Sequence, residues 1–320
     1  MRICRFEFEG KVRCGYYLDD HVIGFSAAAE AFRRASGMPI ELPEGSDVLA
    51  YLPPDGEHFR AAATVGTWLE AHPQDRLPEK LPINKIKLLV PIPNPMKLFL
   101  LAGNYAAHIE EGGGRAAERA ETFPYVFMKP PSTTLTHPFD PVVIPAVSPD
   151  HIDWELELAV VIGRRARRVS EAEALNYVAG YTIVNDISDR RFRPNPQRKP
   201  REKDSFFDWL HGKWHDTFCP CGPCIRSAHT LSNPQNLKMQ LRVNGHLKQN
   251  ATSGQMIFPV AAVIEFLSQF VTLEPGDIIS TGTPSGVGNA TGQYLKPGDK
   301  IEASIEGIGT LVNPVVAETA

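Results

Sequence analysis

The first 25 residues alternate apolar and polar positions, which is the pattern of half-buried strands. The three strand-like segments are RICRFEFEG, KVRCGYYLD and HVIGFSA, and the turn sequences EGK and LDDH separate them. Together they predict a small antiparallel meander. Two helical patterns follow, AAAEAFRRASG and GEHFRAAATVGTWLEAH, and Gly37 is placed to end the first of them. We therefore predict a small N-terminal α+β domain over residues 1–90, which ends in a proline-rich stretch.

Beyond residue 90 the pattern is mostly that of short strands. The segments are KLFLLAG, YVFMKP, ELELAVVIG, AGYTIVND, LKMQLRVNG, DIISTGTP and KIEASIEG, and VNGHLKQ contains an Asn-Gly pair typical of a tight hairpin. Two segments predict helices. One is FPVAAVIEFLSQF, and the other is SEAEALNYVAG, in which Ser170 and Glu173 fit a capping box. The pattern predicts a β-rich α+β domain over residues 91–320.

Two carboxylates interrupt one of these apolar strands. In ELELAVVIG, Glu155 and Glu157 share a face because strand side chains alternate, and AVVIG is apolar on both faces. Unpaired buried carboxylates cost several kcal/mol each, so we expect either a Lys or Arg cation or a metal ion beside them. A third carboxylate, Asp186, ends the apolar strand YTIVND. An all-oxygen cluster suits Mg²⁺, Mn²⁺ or Ca²⁺ better than Zn²⁺. On spacing alone, a solvated glutamate pair is the commoner alternative.

Composition and charge exclude several classes of protein. Of the 320 residues, 42% are hydrophobic and 22% are charged, which is enough for a sizeable core. A net charge of -4 gives no reason to expect binding to nucleic acid or to an anionic membrane. The N-terminus lacks the apolar core of a signal peptide, and no apolar run approaches the ~20 residues of a membrane span. We expect a cytoplasmic protein.

The five cysteines do not suggest a disulfide scaffold, and a reducing compartment fits. The stretch CPCGPC, with Cys219, Cys221 and Cys224, raises the alternative of a zinc site. It lacks a fourth ligand, because Cys4 and Cys14 fall in the other predicted domain. We interpret it as small apolar packing.

Three longer stretches, in this order, resemble the fumarylacetoacetate hydrolase family: DWELELAVVIGRRARRVSEAEALNYVAGYTIVNDISDR, GKWHDTFCPCGP and LEPGDIISTGTPSGVG. The resemblance runs from about residue 95 to the C-terminus. It implies the family's rolled mixed β-sandwich and a homodimer through the β-rich domain. It also implies that Glu155, Glu157 and Asp186 bind Mg²⁺ or Mn²⁺, with Ca²⁺ as an alternative.

The segment LAGNYAAHIEEGG resembles the family's GxNYxxHxxE. The resemblance implies a catalytic dyad in which Glu111 orients the imidazole of His108, a general base. Without the resemblance to the family, a His-x-x-Glu sequence on a helical turn is more commonly a surface pair. The glycine-rich stretch EGGGRAAERA suits a mobile lid, and an ordinary loop is the alternative.

Four more residues are candidates through the resemblance. Lys213 occupies the family's lysine position and would neutralise developing oxyanion charge. Lys129 and Thr283 are expected to contact substrate, and Tyr125 to line the mouth of the pocket. Thr283 lies in a glycine-rich turn, where we expect its hydroxyl and the N–H groups to be free for a carboxylate or carbonyl oxygen.

One loop departs from the family pattern. After ND the family usually has Ser or Val-Ser and then Ala-Arg. Here ISDRRFR places Asp189 where a small residue is expected, and two arginines follow it. Because this loop lies near the substrate in the family, the departure leaves the identity of the substrate open.

The resemblance implies a metal-dependent hydrolase that cleaves a C–C bond in a small 2,4-dioxo acid, such as an acylpyruvate or fumarylpyruvate, in the catabolism of aromatic or sugar-derived acids. On the same site, an oxaloacetate-type decarboxylase and an isomerase or hydratase of an unsaturated 2-oxo acid are alternatives. A non-catalytic metal-binding protein is the alternative of another class. The presence of His108, Glu111 and Lys213 speaks against it, because binding a metal alone requires none of them.

Overall fold

The computed structural model of the protein describes residues 1–72 and 79–319. In these residues the strands are β1 (Arg2–Phe8), β2 (Lys11–Tyr17), β3 (His21–Gly24), β4 (Leu81–Pro82), β5 (Lys87–Leu89), β6 (Leu98–Ala102), β7 (Tyr125–Met128), β8 (Leu135–Thr136), β9 (Val142–Ile144), β10 (Ile152–Asp153), β11 (Leu156–Ile162), β12 (Val178–Asn185), β13 (Ser188–Asp189), β14 (Cys219–Ser227), β15 (Lys238–Val243), β16 (His246–Thr252), β17 (Ile278–Ser280), β18 (Lys300–Ile305) and β19 (Gly309–Ala317).

The helices are α1 (Phe25–Ser36), α2 (Phe59–Ala71), α3 (Ala106–Glu111), α4 (Pro131–Thr134), α5 (Asp204–His211), α6 (Val260–Phe270) and α7 (Gly288–Thr291). None of the described helices has both the length and the apolarity that crossing a lipid bilayer requires.

The strands form one long sheet, a smaller second sheet and a short ladder. The 12-stranded sheet has the order β4-β3-β2-β1-β14-β12-β11-β17-β6-β7, with β5 paired to β1 and β8 to β14. The 5-stranded sheet has the order β16-β15-β18-β19-β9, and β10 pairs with β13. Most pairs are antiparallel, but β17–β6, β14–β8 and β19–β9 are parallel, so the sheets are mixed. The predicted β-rich α+β fold is confirmed.

Strand β11 lies in the middle of the long sheet, between β12 and β17, and all of its residues are buried. Its side chains alternate between two hydrophobic clusters. Leu156 and Leu158 belong to the cluster that contains β15 and β18 of the second sheet. Ala159 and Val161 belong to the cluster that contains α1 and α2. Glu157 points to the same side as Ala159 and Val161, because strand residues two apart share a face. A carboxylate is therefore held inside the apolar sandwich.

Most of the local predictions are confirmed. The first 25 residues form the antiparallel strands β1, β2 and β3. Helix α1 ends at Gly37, which has a left-handed φ of 70° and donates its N–H to the Arg33 carbonyl. Asn244 and Gly245 have φ values of 51° and 77° and join β15 to β16 as a tight hairpin. Helices α2 and α6 lie where the pattern placed them.

The helix predicted for SEAEALNYVAG is wrong. Only Ala174–Tyr177 is helical, as a 3₁₀ turn, and the Ser170 hydroxyl donates to the Glu173 carboxylate (2.8 Å) instead of capping the main chain. The residues before it are held against the end of α6, where the Arg168 N–H donates to the Ser268 carbonyl (2.8 Å). Because β12 begins immediately afterwards, at Val178, the chain has no room for a longer helix.

Strands from both predicted domains share the long sheet. Strand β1 pairs with β14, so that Arg2 lies opposite Arg226 and Ile3 opposite Ile225. Main-chain hydrogen bonds therefore link residues on both sides of residue 90. The division into domains 1–90 and 91–320 stays a prediction.

Candidate metal centre and active site

The pairing of β11 with β12 brings three carboxylates together. Leu156 lies opposite Asn185, so Glu155, just before β11, is next to Asp186, just after β12. The Asp186 N–H donates to the Glu155 carbonyl (2.8 Å). One carboxylate oxygen each of Glu155, Glu157 and Asp186 lie within 4.8 Å of one another, and all three side chains are buried. The structure thus brings the three predicted metal ligands to one place.

Glu157 is the least satisfied of the three. Its Oε2 accepts hydrogen bonds from the Ser280 hydroxyl (2.5 Å) and the Gly282 N–H (3.0 Å). Its buried Oε1 has no hydrogen-bond partner in residues 1–72 and 79–319. Burial raises the pKa of Glu157 well above its usual value, and the carboxylates of Asp186 and Glu155 raise it further. A divalent cation would supply the missing partner, and an all-oxygen donor set fits Mg²⁺ or Mn²⁺.

Glu155 has the opposite electrostatic situation. Its Oε2 lies 3.1 Å from Lys213 Nζ, and its Oε1 lies 2.6 Å from Arg190 Nη2. Burial by itself would raise the pKa of Glu155, but the charges of Lys213 and Arg190 outweigh it and lower the pKa below its usual value. The two glutamates, two residues apart, thus have pKa values shifted in opposite directions, downwards for Glu155 and upwards for Glu157.

Asp186 lies between two buried lysines. Lys129 Nζ is 2.6 Å from its Oδ1, and Lys213 Nζ is 2.5 Å from its Oδ2. Lys213 also donates to the Ser188 hydroxyl (2.8 Å). Burial alone would lower the pKa of Lys213, but the carboxylates of Asp186 and Glu155 raise it above its usual value, so the ammonium stays charged. Lysine cations thus compensate part of the buried negative charge.

Lys129 makes three hydrogen bonds, all to protein oxygens. Besides Asp186, its ammonium donates to the carbonyls of Ile187 (3.0 Å) and Phe218 (2.6 Å). An ammonium has three hydrogens, so none is left for a ligand. In this structure Lys129 holds Asp186 in place. It has no free N–H to offer a substrate, so its predicted contact with substrate stays a prediction.

A cavity of about 200 Å³ reaches the carboxylate cluster at Glu155, and we call it the central cavity. It is lined by Leu101, Ala102, Gly103, His108, Phe127, Glu155, Arg190, Trp209, Lys213 and Thr283. Four of the predicted site residues, His108, Glu155, Lys213 and Thr283, are therefore neighbours around one space.

His108 and Glu111 form the predicted pair on α3. His108 Nδ1 is 2.8 Å from Glu111 Oε1, and Glu111 Oε2 accepts the Gly286 N–H (2.8 Å). Glu111 thus ties the imidazole to the glycine-rich turn that follows β17. Gly286 has a φ of 100°, and a Cβ there would lie 2.2 Å from the Lys248 carbonyl oxygen, so this turn requires glycine. With Nδ1 engaged, Nε2 is the ring nitrogen that can exchange a proton in the central cavity.

The other two predicted substrate contacts differ from expectation. The Thr283 hydroxyl is not free, because it donates to the Leu156 carbonyl (2.9 Å) and accepts from Gln249 Nε2 (2.8 Å). Tyr125 does not line the central cavity. It is an exposed residue of β7 that lines an adjoining apolar cavity of about 710 Å³. Phe127 and Trp209 form the wall shared by the two cavities.

Sequence reasoning missed Arg190 and Asp153. Arg190 Nε donates to Asp153 Oδ2 (2.8 Å) while its Nη2 contacts Glu155. Asp153 also accepts the N–H groups of Gly288 (2.6 Å) and Asn289 (3.0 Å) at the start of α7. The expectation that buried glutamates need a cation was the available signal. It could not show which arginine supplies the cation, because that depends on the path of a loop 35 positions after Glu155.

All five cysteines are free and buried. CPCGPC forms the first part of β14, and burial raises the pKa of Cys221 and of Cys224 to about 12. Among the residues that the structure describes, three or more metal-ligating side chains come together at Glu155, Glu157 and Asp186 alone.

The profile of the fumarylacetoacetate (FAA) hydrolase C-terminal family matches residues 97–316. With the fold and the carboxylate site described above, this match defines the class of protein: the chain belongs to the fumarylacetoacetate hydrolase family.

Relatives and solved structures carry the names of different activities. The oxaloacetate tautomerase Fahd2a, mitochondrial, of Rattus norvegicus is 37% identical over 238 residues, which are 74% of this chain and 71% of that protein. The 5-carboxymethyl-2-hydroxymuconate delta-isomerase of Mycobacterium smegmatis has a TM-score of 0.69 and 29% identity over the full length of both chains. The fumarylacetoacetate hydrolase of the psychrophilic Exiguobacterium antarcticum has a TM-score of 0.73 and 29% identity, over 99% of this chain and 100% of its own.

Proposed function

We propose that the protein catalyses metal-dependent proton transfer at the carbon next to the 2-oxo group of a small 2-oxo acid, as a tautomerase or isomerase. One observation carries this proposal: His108, which pairs with Glu111, and Glu155, which belongs to the carboxylate cluster, line the same central cavity. A base beside a divalent-ion site is the arrangement that enolisation requires.

Each residue has a definite task in this proposal. Glu155, Glu157 and Asp186 hold the ion, which, when bound, supplies Lewis-acid stabilisation of negative charge on substrate oxygens. His108 Nε2 takes a proton from the substrate carbon or returns it, and Glu111 fixes the ring through Nδ1. The Lys213 ammonium, whose pKa the neighbouring carboxylates of Asp186 and Glu155 raise, adds a positive potential at the same place. The rings of Phe127 and Trp209 lie 5.2 and 5.6 Å from the Lys213 ammonium and form an apolar wall beside it.

The size of the central cavity and the names of the relatives support a small substrate. About 200 Å³ accommodates an acid of a few carbons, and Fahd2a is named an oxaloacetate tautomerase. The experiment is to follow enol–keto interconversion of oxaloacetate by ultraviolet absorbance, with and without Mg²⁺. We expect catalysis only with the ion. Absence of catalysis with any tested 2-oxo acid, by protein that binds Mg²⁺, would favour the non-catalytic alternative.

Hydrolytic C–C cleavage of a 2,4-dioxo acid is the second candidate, as expected from the sequence. It needs the same residues, with His108 activating water instead of moving a carbon-bound proton. The similarity to the Exiguobacterium antarcticum structure, which is named a hydrolase, supports it. Loss of ultraviolet absorbance of acetylpyruvate with release of pyruvate would identify the hydrolase. Release of CO₂ from oxaloacetate would identify the decarboxylase.

We also propose that the protein is a homodimer and that the second copy covers the surface beside β7. This strand is the edge of the long sheet. Large apolar side chains are exposed around it: Phe123, Tyr125, Met128, Phe206 and Phe270. Such patches are typical of protein–protein interfaces. Light scattering that reports a monomer at micromolar concentration would contradict the proposal.

A further inference from the structure

A second polar cavity, of about 250 Å³, lies beside the central cavity, and we call it the arginine cavity. Arg190 and Trp209 line both cavities, so the two share a wall. The remaining lining residues of the arginine cavity are Asp189, Arg191, Phe192, Arg193, Ser205 and Asp208. A substrate that is too long for the central cavity would meet charged and polar side chains on this side. On the side of β7 it would meet apolar side chains.

Two exposed arginines of the arginine cavity, Arg191 and Arg193, are not paired with the two carboxylates that line it, Asp189 and Asp208. Asp208 is engaged by Arg198 (2.5 Å). Asp189 accepts the main-chain N–H of Arg191 (3.0 Å) through Oδ1 and turns Oδ2 towards His215. Within the described ranges 1–72 and 79–319, the guanidinium groups of Arg191 and Arg193 form no salt bridge and no hydrogen bond to protein.

The loop that carries these arginines is anchored on both sides. Phe192, between them, packs edge-on against the His215 ring, with centroids 4.7 Å apart. Further along, Arg198 Nε donates to Asp204 (2.9 Å) at the start of α5. The main chain beside the two arginines is thus in contact with His215 and with α5, while Arg191 and Arg193 themselves are exposed.

The cations beside the carboxylate cluster already have carboxylate partners. Lys129 and Lys213 contact Asp186, and Arg190 contacts Asp153 and Glu155. A second carboxylate on the substrate therefore needs a cation from outside this group.

We propose that Arg191 and Arg193 form a subsite for the second carboxylate of a 2-oxo dicarboxylic acid, whose 2-oxo acid end lies in the central cavity. This inference rests on the proposed function, because it assumes that a 2-oxo acid binds at the carboxylate cluster. Guanidinium groups suit the task, since their planar N–H pairs match the two oxygens of a carboxylate. The protein then selects dicarboxylic over monocarboxylic substrates.

The test uses pairs of acids that differ only at the far end. 2-Oxoglutarate and 2-oxopentanoate differ by a carboxylate in place of a methyl group, and 2-oxoadipate and 2-oxohexanoate form the same pair with one more carbon. Dissociation constants are measured calorimetrically on the full chain with saturating Mg²⁺. We expect the wild-type protein to bind the dicarboxylate of at least one pair about ten- to a hundredfold more tightly, the usual value of a charge-assisted contact.

The variants separate the subsite from general charge effects. In the double variant Arg191→Gln/Arg193→Gln, we expect the preference for the dicarboxylate to fall to about twofold or less, while the monocarboxylate binds as in the wild type. Arg201→Gln is the matched control. Arg201 belongs to the same exposed loop and contacts Asp204 (3.2 Å), but it does not line the arginine cavity. It should leave the preference unchanged.

The outcomes distinguish this inference from the proposed function. Equal binding of the two acids of every pair, with normal Mg²⁺-dependent turnover, would overturn the subsite and leave the proposed function intact. Tighter binding of 2-oxopentanoate or 2-oxohexanoate would overturn it too and assign the far end to the apolar cavity. Binding of none of the acids to protein that holds Mg²⁺ would overturn both. If Arg201→Gln lost the preference for the dicarboxylate to the same extent, the preference would come from the overall positive charge of the loop, and the subsite would be overturned.

Discussion

The carboxylate cluster and the base beside it are held in different ways. Glu155, Glu157 and Asp186 lie at the junction of β11 and β12 in the middle of the long sheet, with buried lysines and an arginine around them. His108 and Glu111 lie on α3, a helix of six residues of which none is buried. Both side chains of the pair are about one-fifth exposed.

This difference indicates a division of tasks. The cluster is a fixed electrostatic site, whose geometry depends on the same ion pairs that stabilise the sheet. The base belongs to a short helix with no buried residue, held at the site by the hydrogen bond from the Gly286 N–H to Glu111. Changes in the cluster should therefore affect folding and metal binding together. Changes in α3 should affect turnover alone.

The largest effect is expected from Asp186→Asn. This change removes the charge that both Lys129 and Lys213 contact, and it leaves two buried ammonium groups without that partner. We expect a loss of about 3–5 kcal/mol in the free energy of unfolding, measured by urea denaturation in EDTA, together with loss of Mg²⁺ binding.

Asp140→Asn is the control for this variant. Asp140 pairs with Lys87 at 3.2 Å on the surface, and removal of such a pair costs at most about 1 kcal/mol. Equal losses in the two variants would show that the buried pairs contribute no more to stability than a surface pair.

His108→Ala should affect only the chemical step. We expect kcat to fall by ~10²–10⁴, the usual contribution of a general base, with unchanged Mg²⁺ affinity and unchanged unfolding. His246→Ala, at an exposed position at the start of β16, is the control. Turnover by His108→Ala at near the wild-type rate would refute the assignment of the base.

Glu157→Gln tests the incompletely hydrogen-bonded carboxylate through the pH dependence of the free energy of unfolding. The pKa of Glu157 is raised in the folded protein, so the folded state retains a proton that the unfolded state releases above the usual value of 4.5. Without metal, this group's contribution to stability is therefore lost as pH rises above that value. We expect the variant to match the wild type at pH 5 and to exceed it at pH 8 by about 1–3 kcal/mol, in EDTA.

The same variant should lose Mg²⁺ binding, so its gain in stability should be confined to metal-free conditions. Unfolding curves at both pH values, with EDTA and with Mg²⁺, give all four comparisons. A variant that is less stable than the wild type at pH 8 in EDTA would contradict the opposite roles assigned to Glu155 and Glu157.

The smallest effect is expected from Glu111→Gln. The amide still contacts His108 and Gly286 but lacks the negative charge that faces the imidazole ring. We expect kcat to fall about tenfold, as for one charge-assisted hydrogen bond. Glu110→Gln, on the neighbouring exposed residue, should have no effect. If the two variants behave alike, the pair on α3 is only a surface contact.

Period-two alternation was sufficient to predict β1 to β3, and a short apolar run was sufficient to predict the buried strand β11. The cost of burying carboxylates was sufficient to predict that Glu155 and Glu157 need cations. The sequence could not predict that one of those cations is Arg190, or that Lys129 has no free donor, because both depend on long-range packing. The helix predicted after Ser170 failed for a similar reason, since contacts with α6 and the start of β12 overrode the local capping pattern.

The most direct test of the central claim is chelation followed by restoration. The rate of enol–keto interconversion of oxaloacetate is measured on EDTA-treated protein, before and after addition of Mg²⁺ or Mn²⁺, with the metal content determined by elemental analysis. We expect catalysis to disappear with the metal and to return with either ion in the wild type, but not in Glu157→Gln. Full catalysis by protein shown to contain no metal would contradict it.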